Sequence, residues 1–324
     1  MFVAVDRTIS RLRNTRDLQA AIVSLAAELA DRQGGSGRLT VVDPAIRPDT
    51  VHREWERLLR ALDPAIRSRM RLDVEQRDPR RWECSSLYDS TDAIPLDRPN
   101  YRYEVLRLLL GASLTPFGAD SLKGLIDRIG ASQTPIREAI IDLKRAGIIQ
   151  VSGRRLCVLP GELTRELLAR MGAFPQTLRF RFERGAQIRS PKELVERALP
   201  LLASTDPKDK WVRAALSGVP VALADIPQLD LMGTPRLDLV VHVPRGAKLF
   251  DGGLLHRLDQ GLELEPSILA PAPVAVTLVR AKDSFFRVAN LEQVRCASPA
   301  DIFLALLDMG FRDQALQYAL DMRT

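Results

Sequence analysis

The sequence predicts an α+β chain of several domains, built around a central helix-turn-helix that carries a hairpin wing. Its 324 residues exceed what one hydrophobic core usually serves. Between about 100 and 160, three helical periods run in succession into a strand-turn-strand. Beyond 210, short alternating segments are closed by a helix pair, which makes the C-terminal region a mixed α/β domain.

In chain order, Ile9, Leu12, Leu18, Ala21, Ile22, Leu25 and Leu29 recur at three- and four-residue steps, so a first helix is expected from Ile9 until the run GGSG stops it. RLTVVD at 38–43 reads as a strand. Asp49 and Thr50 are placed to cap a second helix with Val51, Trp55, Leu58, Leu59 and Leu62 on one face, interrupted near Pro64. RLDVE at 71–75 reads as a second strand. Helix, strand, helix, strand predicts a small α/β domain over 1–90. The polar, turn-rich text from 76 to 100 then marks a boundary.

The central domain is expected over 98–162. Tyr103, Leu106, Leu109 and Leu110 mark its first helix. Leu122, Leu125, Ile126 and Ile129 mark the second, started by Asp120 and ended by Gly130. A third opens on Ser132 as cap, buries Ile136, Ile140 and Leu143, and closes at Gly147. Ser152-Gly153 then turns IIQVSGRRLCVL into a hairpin. Over 163–324 the expected elements are a helix in ELTRELLARMG, strands at 236–243, 262–266, 274–280 and 284–290, and two closing helices in SPADIFLALLDMG and FRDQALQYAL.

Composition excludes several classes. With 46% hydrophobic and 27% charged residues the chain is not expected to be disordered. Its longest apolar runs, Leu106–Leu110 and Val274–Val279, fall far short of the roughly 20 residues that span a bilayer. The N-terminal text does not read as a secretion signal, so no membrane partner and a cytoplasmic location are expected. Cys84, Cys157 and Cys296 lack paired spacing, and His52, His242 and His256 are scattered, so neither a disulfide framework nor a metal or cofactor site is expected.

The net charge of +6 is modest, but its distribution is uneven. From Lys123 to Arg155 seven basic residues (Lys123, Arg128, Arg137, Lys144, Arg145, Arg154, Arg155) face three acidic ones (Asp127, Glu138, Asp142), a local +4. A winged helix lays its third helix in the major groove, start first, and its hairpin along neighbouring backbone. Ser132, Gln133, Thr134 and Arg137 at that start, Lys144 further along, and Arg154 and Arg155 past the wing turn are therefore the expected contacts to double-stranded DNA.

Two resemblances follow from these residues. Thr134-Pro135-Ile136-Arg137-Glu138-Ala139, Leu143 and Gly147-Ile148-Ile149 resemble the winged helix of GntR-type regulators, although those regulators usually carry it at the N-terminus. Ala297-Ser298-Pro299, Leu304-Ala305-Leu306-Leu307-Asp308 and Arg312 to Ala315 resemble the C-terminal signature of AbiEi-type antitoxins of type IV toxin–antitoxin systems. WVRAALSGVPVALADIPQLDLM, at 211–232, is similar to the same family's segment after its winged helix. Ala305 departs from the Asp usual there. The resemblance implies transcription regulation by an autoregulating antitoxin, whose toxin partner resembles a nucleotidyltransferase. A local +4 on one module further leads to the expectation of two copies, as a homodimer or paired on half-sites, because linked weak modules gain affinity by effective concentration.

The sequence leaves other classes open. The winged helix could serve instead as a protein–protein scaffold. Gly233, Thr234 and Asp238 partly match a nucleotidyltransferase core, but the second carboxylate would fall at Val240 and a lone Asp on a strand usually faces solvent. Asp43-Pro44 with Asp73, Glu75 and Arg77 loosely suggests a degenerate nuclease-like scaffold over 1–90. The expectation is that the chain is not an enzyme.

Overall fold

The computed structural model describes residues 5–9, 12, 14–32, 34–42, 44, 46–75, 93–115, 120–153, 155–206, 209–267, 270–282, 286–288 and 294–323. It contains both helices and sheets, as an α+β chain does. Its residues cluster into two compact units. The smaller comprises Met1–Asp89, Arg181–Ser190 and Gly252–Leu264, and the larger Ser90–Phe180, Pro191–Asp251 and Glu265–Thr324.

In the smaller unit, β1 (Val5–Ile9), β2 (Gly37–Val42) and β3 (Met70–Glu75) form a parallel sheet in the order β1-β2-β3. Parallel neighbours need long crossovers, supplied by α1 (Thr15–Ala30) and then by α2 (Pro48–Leu59) with α3 (Pro64–Arg67). Leu18, Ile22, Leu25 and Leu29 of α1 bury against Leu39, Val41, Val51 and Trp55. Two local expectations are corrected. Ile9 belongs to a strand rather than to the first helix, which starts after Asn14, whose side chain accepts from Asp17 N. The second helix starts after Arg47, with Pro48 in its first turn, so Asp49 lies inside the helix. A proline's missing N–H is no loss there.

The larger unit opens with β4 (Ala93–Pro95), α4 (Tyr101–Leu114), α5 (Leu122–Ile129), α6 (Gln133–Arg145), β5 (Ile149–Ser152) and β6 (Arg155–Val158). Then come α7 (Arg165–Arg170), β7 (Thr177–Phe182), α8 (Pro191–Leu202), β8 (Ala214–Ser217), α9 (Val219–Asp225), β9 (Leu237–His242) and β10 (Leu249–Asp251). After β11 (Leu262–Glu265), the chain continues through β12 (Val274–Val279), β13 (Arg287–Val288), β14 (Arg295–Cys296), α10 (Pro299–Asp308) and α11 (Arg312–Asp321).

Six strands of this unit lie in the order β7-β12-β9-β8-β14-β13, with parallel and antiparallel neighbours mixed. The central β9 buries Leu237, Asp238, Leu239, Val240 and Val241, which is the continuous run of a strand covered on both faces. Asp238, expected to face solvent, is therefore buried, with 4% of its surface exposed. The closing helices bury Ile302, Phe303, Leu306 and Leu307 with Ala315, Tyr318 and Ala319. Among the described residues no helix is long and apolar enough to cross a membrane.

Candidate nucleic-acid interface

The site is built from the link between α5 and α6 outward. Ser121, rather than Asp120, caps α5 by accepting from Gly124 N. Ile129 ends the helix, and Gly130 follows with φ +71°, a left-handed conformation that costs glycine least. Gly130, Ala131 and Ser132 complete the link to Gln133. The loose carbonyls at the end of α5 are taken up, because Lys282 N donates to Arg128 O and the Arg245 guanidinium to Gly130 O. The angle at which α6 departs is thus held from two sides.

Helix α6 is amphipathic. Ile136, Ala139, Ile140 and Leu143 are buried, and Ser132, Gln133, Thr134, Arg137, Lys144 and Arg145 are exposed. Ser132 occupies the cap position but makes no side-chain cap bond. With its amide oxygen turned toward Arg137, Gln133 accepts from Arg137 Nη2 at 2.8 Å, which sets the two side chains together at the helix start. Arg102 of α4 donates to Asp142 Oδ2 from Nε at 2.9 Å and Nη2 at 2.6 Å, fixing the middle of α6 to α4.

The hairpin pairs Ile149 with Val158 and Ser152 with Arg155, and Gly153 turns it with φ +62°. Leu156 N donates to Asp120 O at 2.7 Å, tying β6 to the entry of α5. Arg155 is exposed, and its Nε lies 3.3 Å from Asp120 Oδ2. Part of the local positive excess is therefore offset by an acid just outside the stretch in which it was counted. Arg154 lies outside the described residues. The other six predicted contacts are all solvent-facing.

Behind this face lies a charged cluster that sequence patterns do not reveal. Arg107 of α4, 2% exposed, holds Asp301 of α10 in two hydrogen bonds of 2.5 and 3.0 Å. Asp301 also closes a capping box with Ser298 and lies 3.4 Å from the Tyr103 hydroxyl. Glu104 Oε1 accepts from Arg280 N at 2.6 Å, while its Oε2 is buried with no hydrogen-bond partner among the described residues. Burial pushes the Glu104 carboxyl up to about 7, against the pull of Arg107 and the Arg280 N–H. Arg107 and Asp301 stand 194 positions apart, so no local signal couples them.

The carboxylates considered for catalysis do not converge. Asp238 is ion-paired with Arg236 at 2.9 Å, and burial raises its carboxyl to about 6. Asp73 and Glu75 lie on the exposed positions of β3, Asp73 3.3 Å from Arg38. Asp43 and Arg77 are outside the described residues, as is Cys84. Among the described residues, no group of three or more His, Cys, Asp or Glu side chains is arranged to hold a metal ion. Compared with protein-family models, curated proteins and solved structures, the chain has no match.

Proposed function

We propose that residues 98–162 form a winged helix that binds double-stranded DNA, and that the chain is a sequence-specific transcriptional regulator acting as an autoregulating antitoxin. The carrying observation is the start of α6, where Ser132, Gln133, Thr134 and Arg137 share one exposed face ahead of a hairpin that presents Arg155. The uncapped first turn leaves backbone N–H groups at the positive end of the helix dipole, which suits phosphate, and the neighbouring side chains suit base edges. The antitoxin role rests on the resemblance of residues 211–232 and 294–320, and it brings with it a toxin partner resembling a nucleotidyltransferase.

Mobility shift of the full chain on DNA from upstream of its own gene, across a salt series, tests the first part. Retarded bands that weaken with salt are expected, and no retardation at low salt rejects DNA binding. Co-expression with the adjacent gene tests the second part. A neighbour that is harmless alone, or that stays toxic beside this chain, rejects the antitoxin role and leaves DNA binding standing. A protein-contact role for the same face is favoured by Ile141 and Val151, exposed at 47% and 55%. Retained DNA affinity in Ile141→Ser with loss of a co-purifying protein would favour that role.

A further inference from the structure

Beside the first turn of α4 the larger unit holds a cavity of about 350 Å³. That is within the ordinary range for small-molecule sites, about 300–1,000 Å³. Its charged wall is Asp97, Arg98, Arg102, Glu104 and Arg280, so three guanidinium groups stand against the Asp97 and Glu104 carboxyls, and Phe174 and Leu278 contribute apolar surface. Glu104 is among the lining residues and is 1% exposed, and its buried Oε2 has no hydrogen-bond partner among the described residues. Arg280 is committed to the chain itself, donating to the carbonyls of Asp97, Arg245 and Ala247. Arg98 and Arg102 are exposed and carry their charge at the same cavity.

We propose that this cavity binds a small organic anion, whose carboxylate or phosphate group is held by Arg98 and Arg102 and accepts a hydrogen bond from the Glu104 carboxyl. An anion is the matching class because the wall offers guanidinium donors, and a protonated Glu104 offers one more in place of a repelling charge. Of the charged and titratable groups around Glu104, Arg107 and Arg280 favour its ionised form and Asp301 opposes it, the Tyr103 hydroxyl standing beside them with its own titration pushed well up; burial is the largest influence and favours the proton on Glu104. Arg102 gives the site an outlet. The same guanidinium that faces the cavity holds Asp142 of α6, so drawing it toward a bound anion loosens the contact that fixes α6. This coupling rests on the DNA-binding reading; occupation of the cavity does not.

Calorimetric titration of the full chain with inorganic phosphate and with citrate separates the two anion sources. Saturable binding of one or both is expected, weakened about tenfold or more in Arg98→Ala and unchanged in Arg71→Ala, an exposed site in the smaller unit. Arg98 is exposed, so its removal leaves the fold in place. No saturable heat from either probe, or equal affinity in the two variants, overturns the site. Mobility shift with and without the probe that binds then reads the coupling. DNA affinity should change with the anion in the wild type and not in Asp142→Asn. Unchanged affinity in the wild type overturns the coupling but not the site. A chain that takes up the anion yet shifts no DNA removes the coupling together with the DNA-binding reading, and the calorimetric site stands.

Discussion

Helices α4 and α6 face each other in the larger unit and use charge in opposite ways. Helix α4 buries ten residues, Glu104 and Arg107 among them, and spends its charge on Asp301 and the Arg280 backbone. Helix α6 buries only Ile136, Ala139, Ile140 and Leu143 and leaves Gln133, Arg137 and Lys144 in water. A buried charge needs its partner to offset desolvation, whereas an exposed one contributes little to stability and stays free for another molecule. Substitutions on the two helices should therefore separate cleanly into losses of stability and losses of binding.

The largest effect is expected at Asp301→Ala, which strands the Arg107 guanidinium in the core and should cost about 3–5 kcal/mol in urea unfolding. A loss below about 1 kcal/mol would show that the pair is solvated and that the contrast fails. Next, Arg137→Ala should leave stability within about 0.5 kcal/mol while costing about 1–3 kcal/mol in DNA affinity and relaxing sequence preference. Stability lost with affinity intact would reverse the assignment of α6.

Glu104 sharpens the comparison through pH. Its carboxyl is raised in the folded state from 4.5 to about 7, so between those values the folded chain holds a proton that the unfolded chain has released. Its contribution to stability accordingly falls as pH rises through this window, and the full penalty is present above it. Relative to wild type, Glu104→Gln should gain stability from pH 4.5 to pH 7 in paired urea titrations. A difference that stays flat with pH would mean that the carboxyl is not held protonated. The smallest effects belong to the caps. Ser298→Ala removes a capping box and should cost about 1 kcal/mol, while Ser132→Ala, with no cap bond to lose, should cost clearly less.

These contrasts also explain what was legible in the sequence. The buried stripe of α6 and the glycines at 130 and 153 appear as local periodicity and turn chemistry, so the helices, the hairpin and the exposed candidates could be read directly. Strand β8 went unread because Ala214–Ser217 is short and buried throughout, with no alternation to mark it. Strand β7 does alternate, at Leu178, Phe180 and Phe182, but follows FPQ too closely to stand apart from that break. Asp238 departs from the solvent-facing expectation because alternation predicts a solvent face only for a strand with one open side, and β9 has none. Neither the Arg107–Asp301 pair nor the cavity could be read, since each joins residues brought together only by the fold.

If the proposed DNA-binding reading holds, the exposed start of α6 and the β5–β6 hairpin contact DNA in different ways, and binding across a salt series tests this most directly. Equilibrium affinities of wild type, Arg137→Ala and Arg155→Ala should be measured on the upstream sequence and on unrelated DNA at each salt concentration. Arg155→Ala should weaken both DNAs alike and lower the slope of log affinity against log salt by about 1. Arg137→Ala should instead reduce the preference for the upstream sequence. Identical salt slopes and identical preferences in all three proteins would contradict the account.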